Sequence, residues 1–175
     1  MQVFRCRICA EVYIGEQNPR SCPFCAAHQS YFVPAKQWQL IKAAQLSPAS
    51  RKNLKQALEL ELDNTNFYKA VSEKSKNSYV RSMFKGLSKV EREHAASICK
   101  HLAIAKPDST VGLDQAVDSD QENIQEAARR ENRAVKFYGQ AQANKPEIKE
   151  FFQALMQIES DHIILTEQEL KVKGG

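Results

Sequence analysis

Val90-Glu91-Arg92-Glu93-His94 and, further along, Ile158-Glu159-Ser160-Asp161-His162 write the same pattern twice: an apolar residue, then Glu-x-x-His. Residues i and i+3 of an α-helix share a face, so each stretch presents a carboxylate and an imidazole together. Both faces continue as apolar stripes, with Phe84, Leu87, Ile98 and Leu102 around the first and Leu155, Ile158 and Leu165 around the second. A lone Glu-x-x-His is most often a solvated helix face. Here a second pair repeats with it: Glu61 precedes Phe67-Tyr68 as Glu131 precedes Phe137-Tyr138. The offsets are 70 residues for the Glu pair and 68 for the Glu-x-x-His pair. Two copies of such a unit describe two helical hairpins and not a solenoid.

Working outward, the pattern predicts helices over about 48–75, from 77 or 78 to about 105, and over about 118–143. A fourth is started by Asn144-Lys145-Pro146, a cap followed by an early-turn proline. The first and third connections are tight. The stretch 106–117, with Pro107, Ser109 and Gly112, is long enough to cross the length of a bundle, so the expected architecture is a four-helix bundle with one long crossover.

The faces decide the chemistry. Glu61 is flanked by Leu54, Leu58, Thr65 and Tyr68, and Glu131 by Ile124, Ala127, Val135 and Tyr138. Four acids and two histidines therefore point into a core, where unpartnered polar groups are strongly destabilising; they must share protons, pair with cations or bind metal. Glu61, Glu91/His94, Glu131 and Glu159/His162 follow the order Glu, Glu-x-x-His, Glu, Glu-x-x-His, the donor set of carboxylate-bridged di-iron bundles of the ferritin-like kind. Glu93, Glu122 and Glu126 fall off these faces and read as surface charges. Cys99, in the middle of the second helix, reads as a small buried apolar residue.

The first 34 residues are of another kind. Cys6-Arg-Ile-Cys9 and Cys22-Pro-Phe-Cys25, twelve residues apart, are two knuckles that can aim four thiolates at one ion. Spacing leaves both iron and a structural zinc open. His28, close behind Cys25, reads as a surface residue and not a fifth ligand. The chain thus divides into a four-cysteine metal domain over 1–34, a short amphipathic helical linker over 35–47 carrying Trp38, Leu40 and Ile41, and the bundle over 48–175.

Composition narrows the class. With 42% hydrophobic and 26% charged residues and only six Gly and six Pro, the chain suits a largely helical globular protein. A net charge of +4 without a long basic run gives nucleic acid no special weight, and no apolar stretch approaches a membrane span or a signal-peptide core. A cytoplasmic location is expected, where five cysteines stay mostly reduced.

Phe4-Arg5-Cys6-Arg7-Ile8-Cys9, Tyr13, Pro19, Cys22-Pro23-Phe24-Cys25-Ala26-Ala27 and Phe32 resemble the rubredoxin-like domain of rubrerythrins, and the six bundle residues match that family's di-iron ligands. The chain as a whole resembles a rubrerythrin with its rubredoxin-like domain first, the reverse of the more familiar order. Two departures stand out. The family usually has Gly where this chain has Ala10 and Ala26, and it typically carries a further carboxylate one turn after the third-helix ligand, where this chain has Ala134. Tyr68 and Tyr138 resemble tyrosines that hydrogen-bond carboxylates beside such sites; as ordinary core aromatics they would look the same.

The resemblance implies one iron at Cys6, Cys9, Cys22 and Cys25 and two at Glu61, Glu91, His94, Glu131, Glu159 and His162. It implies reduction of hydrogen peroxide or dioxygen to water, fed by an external donor such as a rubredoxin or a reductase. It also implies a homodimer in which one chain's four-cysteine centre approaches the other chain's di-iron site. Ferrous oxidation for iron handling is the alternative that keeps the bundle. A non-enzymatic scaffold with a zinc ribbon is the alternative that discards the chemistry.

Overall fold

The computed structural model describes residues 1–40, 43–107, 116–143 and 148–173. Its N-terminal part is a three-stranded antiparallel sheet in the order β2-β1-β3, made of β1 (Gln2–Cys6), β2 (Val12–Gly15) and β3 (Phe32–Pro34). Phe4 lies opposite both Tyr13 and Pro34. So small a sheet has little apolar surface to bury, and its interior is Cys6, Cys9, Cys22 and Cys25 with Ile8, Ala27, Tyr31 and Phe32.

Four long helices follow: α1 (Pro48–Lys74), α2 (Ser78–Leu102), α3 (Asp120–Ala143) and α4 (Lys149–Lys173). Local chemistry sets their ends. Ser47 caps α1 by accepting from the Ser50 N–H, with Pro48 at the first helical position. Asn77 caps α2 by accepting from the N–H groups of Tyr79 and Val80. That helix stops at Leu102, three residues before the expected limit, because Ala103 turns left-handed and the Ile104 N–H reaches back to the Cys99 carbonyl. At the start of α3, Ser119 Oγ accepts from the Glu122 N–H, while the Asn123 side chain clasps both backbone groups of Val117. The cap and proline expected at 144–146, and Ser109 and Gly112 of the crossover, lie outside the described residues.

The linker is a correction. Residues 35–37 and 43–45 form single 3-10 turns, and Trp38, which follows the first, is extended. A segment this short cannot support a helix by itself, and Trp38 is held elsewhere: the Arg5 guanidinium lies 3.9 Å over its ring.

α1 packs along α2 and α3 along α4, the two hairpins anticipated from the repeat. The apolar core falls into two clusters. One contains Leu54, Leu58, Ile98, Leu102, Phe152 and Leu155 together with the cysteines of the ribbon. The other contains Phe67, Tyr68, Phe84, Leu87, Ile124 and Ala127. On each helix the polar residues of interest sit between members of these clusters, so a buried polar layer divides the bundle's core.

Candidate metal centres

In the ribbon, Cys6 ends β1 and the two C-x-x-C segments turn back so that all four sulfurs converge. Cys6 Sγ lies 3.8 Å from Cys25 Sγ, and Cys9 Sγ 3.7 Å from Cys22 Sγ. A tetrahedral ion with bonds of about 2.3 Å sets its sulfurs about 3.8 Å apart, so the cage fits one. Each knuckle is closed by the N–H of the residue after its second cysteine: Ala10 donates to the Cys6 carbonyl and Ala26 to that of Cys22. Both alanines take left-handed backbone, at φ 67° and 60°. The turns that glycine would enter freely are kept, at roughly 1–2 kcal/mol each for the added Cβ. The Ile8 N–H points at Cys6 Sγ. Contact with one another drives the metal-free thiols apart, Cys22 going down through its hydrogen bond with Cys25, and Cys25 and Cys9 going up through theirs with Cys22.

In the bundle, donor atoms of Glu61, Glu91, His94 and Glu159 fall within 4.8 Å of one another, and so do those of Glu91, Glu131, Glu159 and His162. Glu91 and Glu159 belong to both groups. That sharing is what two ions bridged by carboxylates require, and the layer therefore fits a di-iron centre as the cysteine cage fits a mononuclear one. His94 Nδ1 faces Glu91 at 3.1 Å and Glu159 at 3.2 Å; His162 Nδ1 faces Glu159 at 2.8 Å and Glu91 at 3.2 Å. Glu61 Oε2, Glu131 Oε2 and both oxygens of Glu159 have no donor among the described residues beyond these crowded histidine nitrogens. Orphaned oxygens in a sealed core point to a missing cation.

Protons fill that role in the metal-free chain. Burial, then the Glu91 charge, pushes Glu131 up to about 8 and Glu61 well above the carboxylate range. Glu91 goes the other way: burial opposes its charge, but hydrogen bonds from His162 and His94 carry it below its ordinary value. Burial would also lower both imidazoles, yet the carboxylates hold them well above theirs, led by Glu61 at His94 and Glu131 at His162.

Two tyrosines tie the hairpins together crosswise. Tyr68 of α1 donates to Glu131 of α3, and Tyr138 of α3 donates to Glu61 of α1. Each packs within an aromatic cluster of its own end, Tyr68 tilted against Phe67 and Phe84, Tyr138 edge-on to Phe137 and stacked on Phe152. Phe84 and Phe152 stand seven residues before Glu91 and Glu159, so the repeat extends further than the two motifs that revealed it. Ala134 is fully buried on the turn after Glu131 and offers no oxygen there.

The ten expected site residues thus gather into two groups. The join between them was not read from the sequence. His94 Nε2 lies 3.0 Å from the Cys25 carbonyl, so the two groups meet within a single chain. Lys100 donates to the Cys9 carbonyl and pairs with Glu11, the Tyr31 hydroxyl donates to Gln157, and Arg7 pairs with Glu150. His28, on the surface as expected, meets Asp161 at 2.7 Å. Single long-range contacts of this sort carry no periodic signal. Glu93 and Glu126 are less solvated than expected, Glu126 being gripped by Arg129, Arg130 and Arg133. Among the described residues no helix is long and apolar enough to cross a membrane.

The rubrerythrin family model matches residues 52–170, and the model of the rubrerythrin rubredoxin-like domain matches residues 4–33. No curated protein and no solved structure matches the chain.

Proposed function

Since the chain belongs to the rubrerythrin family and is on that ground a di-iron oxidoreductase, we propose that it reduces hydrogen peroxide or dioxygen to water with electrons relayed through its four-cysteine centre. Cys6, Cys9, Cys22 and Cys25 are the proposed ligands of one iron. Glu61, Glu91, His94, Glu131, Glu159 and His162 are those of two, with Glu91 and Glu159 bridging. Iron held in these sets would supply two electrons to an O–O bond and accept replacements singly through the thiolate site.

The chain's own part follows from its side chains. Tyr68 and Tyr138 hold one oxygen of Glu131 and Glu61, leaving the other turned to the cluster. Full burial of Glu61, Glu91, His94, Glu131 and Glu159 keeps water from competing at those five. The protons that Glu61 and Glu131 carry without metal would be released on loading.

The observation that carries the reading is the His94–Cys25 hydrogen bond, which puts the one-electron and two-electron donor sets in direct contact. It supports a relay inside each chain, so the homodimer that belongs to this reading is not needed to complete it. Ala134 favours a second reading, ferrous oxidation, because no carboxylate stands there to rearrange with the oxidation state. Anaerobic mixing of reduced, iron-loaded protein with peroxide, with oxygen and with excess ferrous iron plus oxygen decides between them. The first reading expects peroxide or oxygen to reoxidise both centres over repeated donor-driven turnovers. Sustained oxygen consumption with ferrous iron as the sole reductant would replace it by the second.

A further inference from the structure

His94 and His162 turn Nδ1 to the same carboxylates, yet they sit in different surroundings. His94 is sealed against Cys25. His162 alone among the six keeps some exposure, 8% of its side chain, and it lines an open groove of about 610 Å³ between α2 and α4. The walls are apolar: Pro23 and Phe24 from the second cysteine knuckle, Met83 and Leu87 from α2, and Leu165 from α4. Phe24 is 42% exposed and is the residue before Cys25. Gly86 lies along the same groove, and a Cβ there would meet nothing within 4 Å.

On its α2 side the charge beside this groove has one sign, while at the α4 edge the wall residue Tyr79 donates to Glu169. Arg81, Lys85, Lys89 and Arg92 run down the exposed side of α2, and none forms an ion pair among the described residues. Lys69 of α1 faces them across an adjoining trough of about 640 Å³. The trough's single acid, Glu73, is spoken for by Lys69 at 3.9 Å. An apolar centre rimmed by like charges is how weak, fast electron-transfer encounters are built: the rim steers and the centre seats.

We infer that this face docks an acidic one-electron carrier protein, seating it against Phe24 beside the Cys22–Cys25 knuckle. The inference rests on the relay reading above. The carrier would pass one electron to an iron held by Cys6, Cys9, Cys22 and Cys25, with no bond formed and no proton moved. Two docking events restore the two electrons spent on an O–O bond.

The probe is an acidic rubredoxin carrying zinc, which binds but cannot transfer electrons. It is titrated against the full iron-loaded chain, with affinity followed by calorimetry between roughly 20 and 200 mM salt. Lys85→Glu with Arg92→Glu should weaken binding about tenfold or more and flatten its salt dependence. Gly86→Trp, which changes no charge, should weaken it by a similar factor; if that variant loses helicity, Phe24→Gln takes its place. Lys52→Glu with Lys55→Glu reverses the separate basic cluster in the first turns of α1 and should change affinity less than about twofold.

Equal losses from the two charge reversals would mean diffuse attraction and no site. Unchanged binding in the groove variants would overturn the seating, and displacement of the probe by a single-stranded oligonucleotide at matched charge would make the face a polyanion surface instead. The two levels separate cleanly. Peroxide reoxidation of dithionite-reduced protein needs no carrier, so a chain that binds the probe but does not reoxidise refutes the function, while one that reoxidises but does not bind refutes the dock.

Discussion

The ribbon and the bundle place their donors by opposite means. In the ribbon the thiolates are aimed by backbone turns, two of them left-handed at Ala10 and Ala26, and the four cysteines are a large part of the small interior. In the bundle the carboxylates and imidazoles ride on helices with apolar clusters on either side of them, and tyrosines from the opposite hairpin hold them. A site built from turns has little to fall back on when its ion leaves. A site built across helices keeps its scaffold and is left with a charge problem.

The largest effect that could break this contrast is loss of the thiolate ion. Cys22→Ser is expected to abolish metal binding in the ribbon and unfold residues 1–34, since metal affinity is folding free energy in so small a unit, on the order of 10 kcal/mol. The bundle's helicity should survive, as circular dichroism with metal analysis will show. Collapse of both parts would erase the distinction. Next in size, Glu91→Ala removes an oxygen donor shared by both groups and should empty both bundle positions, whereas Glu61→Ala should empty one. Metal counts that fell equally in the two variants would contradict the bridging role.

Acidity sharpens the comparison further. Glu131, raised to about 8, and Glu61, raised well up, bind protons more tightly folded than unfolded. Each stabilises the metal-free chain fully below the ordinary carboxylate range and loses that contribution as pH rises through its folded value. His94 and His162, also raised, act in the same direction. Glu91, lowered, contributes above the ordinary carboxylate range and loses out only on acidification. The metal-free bundle should therefore melt at progressively lower temperature from about pH 5 to beyond 8, and loaded protein should show little of this slope. A flat profile for the metal-free chain would mean the layer is solvated.

Much of this was legible beforehand because the bundle's donors repeat: Glu-x-x-His twice and Glu with Phe-Tyr twice, at nearly equal offsets, can be read without a structure. The cysteine knuckles announce themselves by spacing. What could not be read depends on single contacts between distant segments. Cys25 and His94 lie 69 residues apart and meet through a backbone carbonyl, which has no sequence signature. The described parts of the linker, which exclude Ile41, form no α-helix, and Trp38 lies instead against Arg5, an equally local contact. The alanines at 10 and 26 stand where the related family usually has glycine, and the backbone is left-handed at both all the same.

The smallest effects test that last point. Ala26→Gly should stabilise the loaded ribbon by up to about 1 kcal/mol by removing a Cβ from left-handed backbone. Gly86→Ala, in helical backbone with open space around it, should raise stability by a similar amount for the opposite reason. Thermal melts that reversed either sign would show that local backbone preference is overridden there.

The central claim is that one chain joins the two centres through His94 and Cys25. Fully reduced, iron-loaded protein, which holds one more electron per chain than a single peroxide accepts, is mixed anaerobically with peroxide in fixed excess, and the return of the ferric–thiolate colour is followed over a wide dilution series. The account predicts a reoxidation rate, after the bundle irons have reacted, that does not change with protein concentration down to the monomer. Thiolate iron that stayed reduced, or a rate that fell in step with dilution, would contradict it.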